Sequence, residues 1–120
     1  MTGDVTLVRP DDATVEVELF ARVGAHPARV FAVLASRIDP QGEGHFVTDP
    51  VTRRAVVQGD YWYRGEYAVD PDGDGARVTY TIVNVAPGMR LLGRLTGRRV
   101  VRSAPRDFAR LIAEVEGALG

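Results

Sequence analysis

The side chains best spaced to act together chemically are tyrosines. Tyr61, Tyr63 and Tyr67 fall at odd positions of one apolar segment, and Tyr80 follows in the next. In a strand, alternate residues share a face. Tyr61, Tyr63 and Tyr67 therefore lie on one side, and Tyr80 can meet them across a hairpin. Phenol hydroxyls on an apolar wall orient a ligand oxygen without bringing a charge. The same spacing also makes a cross-strand aromatic ladder that only packs, and both readings stand. Trp62 alternates with them and is expected on the opposite face, either outside or in an oligomer contact, which leaves a homodimer open. His45 follows a loop. It can serve as a general base near neutral pH or simply face solvent. His26 precedes Pro27 and reads as part of a helix start. Two histidines this far apart make no metal site by spacing. Arg53, Arg54 and Arg64 are strand residues. Turned inward, one of them would hold a carboxylate or phenolate; facing solvent is the default, and Glu66 is also expected to face outward.

A second constellation is Asp70-Pro-Asp-Gly-Asp-Gly75. It begins like a calcium loop but places Thr81 where a bidentate glutamate is required. It reads as a polar hairpin turn. The third is a run of arginines. Arg90, Arg94, Arg98, Arg102, Arg106 and Arg110 recur every four residues, with Arg99 between them. On a helix, four-residue steps drift by about 40° each, so the stripe spirals. Its first half can still form a compact basic patch. Such a patch would dock an acidic partner at Arg90, Arg94 and Arg98, or be a solvated helix face. Residues 88–107 carry no base-stacking aromatic, which argues against nucleic acid. Nucleophile elbow, zinc-helix, P-loop and dinucleotide patterns are all absent. Ser36 and Ser103 are not in contexts that activate a hydroxyl. No metal or cofactor is expected.

These residues need elements to position them. Val15, Val17, Leu19, Ala21 and Val23 alternate with Thr14, Glu16, Glu18, Phe20 and Arg22, as in a half-buried strand. Pro27 opens a short helix over 27–36 with Val30, Phe31 and Leu34 on one side. Residues 37–44 read as loop. Phe46–Val47 starts a short strand that Pro50 stops. Strands follow over 52–58, 60–69 and 76–86, the last two joined by the Asp-Gly turn. From Gly88 the apolar period lengthens to that of a helix, with Met89, Leu92 and Leu95. Ser103 is the expected N-cap of a final helix, whose stripe is Phe108, Leu111, Ile112, Val115 and Leu119. The strands each have one apolar face, and the terminal stripe is the cover for it.

The chain has 120 residues and a net charge of −1 from 15 basic and 16 acidic groups. That length fits one α+β domain over 1–120 with its own core, residues 1–12 being a poorly anchored lead-in. Every basic residue is arginine and none is lysine. Together with abundant Ala, Gly, Val and Asp, this points to a GC-rich, bacterial coding bias, which weights any single arginine toward a bland role. Cysteine is absent, which suits a reducing cytoplasm and removes disulfide and thiol chemistry. No signal peptide or membrane-spanning run is visible.

Val15-Glu-Val-Glu-Leu-Phe-Ala-Arg-Val23, then Ala25-His-Pro-Ala-Arg-Val-Phe-Ala-Val-Leu34, resembles the opening of the START-like helix-grip (SRPBCC) superfamily. Polyketide cyclases and dehydratases and lipid-transfer domains belong to that group. The Gly75–Ile82 hairpin strand and the Phe108–Leu119 helix are similar as well. The resemblance spans most of 13–119 and implies a curved antiparallel sheet wrapped on a long C-terminal helix. It also implies a cavity between them for a small apolar molecule, lined by His45, Phe46, Arg54, Tyr61, Tyr63, Tyr67, Tyr80, Leu92 and Phe108. The chain is short for the group, with a hairpin's worth of sheet missing after the first helix. Cyclisation or dehydration is the chemistry the resemblance implies, with His45 as candidate base. The sequence leaves three roles open: a ligand-binding domain with or without catalysis, an interaction module using the 88–110 arginines, or a packed structural unit.

Overall fold

Alternation builds the first strand, as the sequence predicts, with one interruption. A computed structural model of the protein describes residues 5–42, 45–59, 62–85 and 98–120. Strand β1 spans Thr14–Val23 and pairs antiparallel with the last strand, β5, at Gly75–Asn84. The register shifts between Val15 and Val17, so Glu16 is an extra residue that reverses the alternation. Val15 consequently lies opposite Val83 and is exposed. It does not join Val17, Leu19, Ala21 and Val23 on the apolar face, as strict alternation from the sequence predicts.

Helix α1 spans Pro27–Ile38, slightly longer than predicted. His26 caps it: its Nδ1 accepts the Ala28 N–H at 3.2 Å, satisfying one free donor of the first turn. Strands β2 (His45–Asp49), β3 (Arg54–Gln58) and β4 (Tyr63–Asp72) follow. Asp49 closes the β2–β3 turn by accepting from the Val51 N–H and the Thr52 hydroxyl. Arg53 takes a left-handed φ of 57° there, so β3 begins one residue later.

Strands β4 and β5 run further into the Asp-Gly segment than expected. Asp72 still pairs with Gly75, leaving a two-residue loop of Gly73 and Asp74. Gly73 has φ 59°, the first central position of a primed hairpin turn, which twists with the strands. The sheet order is β1-β5-β4-β3-β2, all antiparallel.

Helix α2, at Arg98–Leu119, completes the described chain. Ser103 and Pro105 lie inside it, so Ser103 is not the N-cap predicted from sequence. Its hydroxyl donates back to the Val100 carbonyl at 3.3 Å. Both helices pack on one sheet face. Val30, Phe31 and Leu34 of α1 and Ala104, Phe108, Ile112 and Val115 of α2 join Val69, Val78, Tyr80 and Ile82 in one core. Burying such side chains stabilises by about 1.5–3 kcal/mol each. Arg37 with Glu114, and Arg29 with the Leu119 carbonyl, link the two helices. No described helix is long and apolar enough to cross a membrane.

Candidate functional site

Strands β4 and β5 bring three tyrosines together against α2. Tyr67 and Tyr80 are direct cross-strand partners, and their rings stack at 4.6 Å with 13° between planes. Tyr80 stacks in turn on Phe108 of α2 at 5.7 Å. Tyr63 lies two pleats along β4 and reaches back, so that its hydroxyl meets that of Tyr80 at 2.5 Å.

Gly65 makes this reach possible. A Cβ built there would sit 3.0 Å from the Tyr63 ring carbon that bears the hydroxyl and 3.2 Å from the Tyr80 ring. The phenol thus occupies the space that any other residue's side chain would take. Sequence reasoning missed Gly65. The available signal was an isolated glycine inside a strand pattern, which marks a close approach.

Burial pushes the Tyr67 and Tyr80 phenols far above their ordinary range, reinforced by their neighbours' charge, and burial raises Tyr63 too. All three are therefore neutral hydroxyls at physiological pH. The core beside them is mostly apolar, but the fully buried Asn84 lies directly opposite Tyr63 on the same face. Toward β2 and β3, Tyr63, Phe46 and Val57 are only partly covered. A packed aromatic stack thus closes one end of this layer, and a half-open apolar edge with a hydroxyl pair forms the other.

Tyr63, Tyr67, Tyr80, Phe46 and Phe108 are accordingly brought to one layer. Tyr61 and Leu92 lie outside the described residues, as do Arg90 and Arg94. Arg54 is not in this layer. It alternates with Ala55, lies opposite Ala68, and pairs with Asp70 at 3.0 Å on the other sheet face. His45 alternates with Phe46 at the start of the edge strand β2 and so is also turned from the tyrosines. One residue's displacement in a strand is enough to reverse a face. Trp62 is a further correction. It is 8% exposed and packs in the core, edge-on to Tyr63 at 5.7 Å, rather than lying outside or at an oligomer contact. Among the described residues there is no cluster of His, Asp and Glu that would hold a metal.

The opposite face carries the charges. Glu66 accepts from Arg64 Nε at 2.8 Å and from Arg9 Nη2 at 2.5 Å. Burial raises its pKa, but the hydrogen bonds and charges of Arg9 and Arg64 outweigh this and hold it below the usual carboxylate range. Arg64 is only 1% exposed, against the expectation of a solvent-facing arginine. Its Nη1 donates to Gln58 at 3.3 Å, while Nη2 finds no acceptor among the described residues. Arg9 thereby ties the lead-in to the sheet. Beside this network lies a groove of ≈ 530 Å³ lined by Leu7, Arg9, Glu18, Arg54 and Thr79, among others.

No protein-family model matches the chain. No curated protein matches it either. Among solved structures it is similar to the crystal structure of TTHA0849 from Thermus thermophilus, with a TM-score of 0.53 and 17% identity. The match covers 84% of this chain and 94% of that one. The likeness is one of fold: an α+β chain with a five-stranded antiparallel sheet and a C-terminal helix.

Proposed function

We propose that this is a cytoplasmic domain of the START-like helix-grip type that binds a small, largely apolar molecule between the tyrosine face of the sheet and α2. The observation that carries the reading is the meeting of the Tyr63 and Tyr80 hydroxyls in the buried layer, beside the half-covered Phe46 and Val57. A sheet that needed only packing would be served by phenylalanine at these positions. Buried hydroxyls require partners, and a phenol oxygen can accept as well as donate. A ligand carbonyl or hydroxyl placed there would accept or donate a hydrogen bond while its carbon frame lay on Phe46 and Val57. If a reaction follows, it is of the cyclase or dehydratase type, with neutral phenols orienting the substrate oxygen.

Two measurements test this. Native mass spectrometry of protein purified from its own host should show a retained small molecule. Titration with 1-aminoanthracene, a neutral apolar fluorophore, should saturate at one per chain and change Trp62 emission. Val57→Trp should fill the edge and abolish both signals. Absence of a retained molecule together with unsaturable dye uptake would overturn the reading.

A further inference from the structure

The described arginines divide sharply into paired and unpaired ones. Carboxylates hold Arg9, Arg22, Arg37, Arg54, Arg64 and Arg110. Backbone carbonyls hold Arg29 and Arg53, and Arg77 lies over the Phe20 ring at 5.8 Å. Among the described residues, only Arg98, Arg99, Arg102 and Arg106 are arginines with no partner, and these four are consecutive along α2. A coding bias toward arginine explains their number but not why the unpaired ones are contiguous.

At about 100° per residue they occupy an arc of roughly 100° on the helix. That arc is turned away from the buried Ala104 and Phe108. Residues 98–106 contain no acidic side chain to neutralise them. Arg99, Arg102 and Arg106, with Ser103 and the 40% exposed Val100, line a shallow groove of ≈ 400 Å³.

We propose that Arg98, Arg99, Arg102 and Arg106 form a docking surface for an acidic segment of a protein partner. The charge asks for carboxylates. An exposed valine beside the guanidiniums fits a mixed protein interface, where arginine is favoured. The apolar stripe of α2 is already spent on the core, so the helix has no face left to insert into a membrane. Residues 98–106 carry no aromatic side chain on which bases could stack, which disfavours a single-stranded nucleic acid.

The test is fluorescence anisotropy with labelled poly-L-glutamate. Binding should be measurable at low salt and weaken roughly tenfold or more as ionic strength rises past about 0.3 M, where the Debye length is roughly half its value at about 0.1 M. Arg99→Ala/Arg102→Ala/Arg106→Ala should weaken it by roughly tenfold or more, the sum of three exposed pairs. Arg22→Ala/Arg37→Ala, which removes paired arginines from other surfaces, should leave it nearly unchanged. All five positions are exposed, and circular dichroism would establish that both variants fold. No binding at low salt overturns the proposal, as does equal weakening by the two variants. Tighter binding to a DNA duplex or to phosphatidylglycerol vesicles than to the peptide overturns the choice of partner. So does self-association lost in the triple variant without any peptide binding.

Discussion

Tyr63 and Gly65 act as a pair, and a double-mutant cycle would expose the coupling. Gly65→Ala places a methyl group where the Tyr63 phenol lies. The ring must swing away and give up its hydrogen bond to Tyr80, at a cost of about 1–3 kcal/mol for the buried hydroxyl left behind. In a Tyr63→Phe background the atom nearest that methyl is gone, and the alanine should cost measurably less. Urea denaturation of the four proteins checks this; strictly additive costs would mean that Gly65 matters only for its backbone. The tyrosines were visible in the sequence because strand spacing groups them. Gly65 was visible only as an interruption, since the sequence does not tell which neighbour leans over a glycine. Arg64 was misjudged for a related reason. Arginine is exposed by default, and only the placement of Glu66 and Gln58 around it makes burial tolerable.

At the scale of the elements, α2 is held to the sheet by its apolar stripe. Phe108→Ala removes the ring that stacks on Tyr80 and should destabilise the protein by about 3–5 kcal/mol. Phe20, 57% exposed on the other sheet face, provides the contrast. Phe20→Ala loses only the contact with Arg77 and should cost about 1 kcal/mol, and thermal unfolding of both variants would show the difference. The stripe and both partners of the β4–β5 hairpin were legible, because period and turn chemistry are local signals. The bulge at Glu16 was not: it is defined by what β5 pairs with, and its effect was to turn Val15 outward. The start of the last helix was also misplaced. Ser103 and Pro105 read as a start signal, yet Ser103 turns its hydroxyl to a helical carbonyl and the described helix already includes Arg98.

For the molecule as a whole, titration of its buried groups shapes the pH range of stability. The three core phenols keep their protons in the folded state, while those of the unfolded chain ionise near 10.0. Their contribution is therefore complete below about pH 10 and falls as pH rises beyond it, because the unfolded chain binds fewer protons there. Tyr63→Phe/Tyr80→Phe should flatten that alkaline limb in a melting-temperature profile. Glu66 titrates in the opposite sense. Its folded pKa lies below 4.5, so its contribution is present above about pH 4.5 and is lost as pH falls. Glu66→Gln should flatten the acid limb and release the lead-in, seen as faster amide exchange near Arg9; an unchanged limb would mean that this network adds nothing to stability. The sequence by itself determined an α+β chain, a hairpin around the Asp-Gly turn, the tyrosine face and a C-terminal covering helix. Each of these follows from spacing along the chain. Only the tertiary structure decided that Arg54 and His45 face away from the tyrosines, that Trp62 and Arg64 are buried, and that four arginines of α2 lack partners among the described residues. Those outcomes depend on pairing register and on residues distant in sequence meeting in space, which local periodicity does not encode.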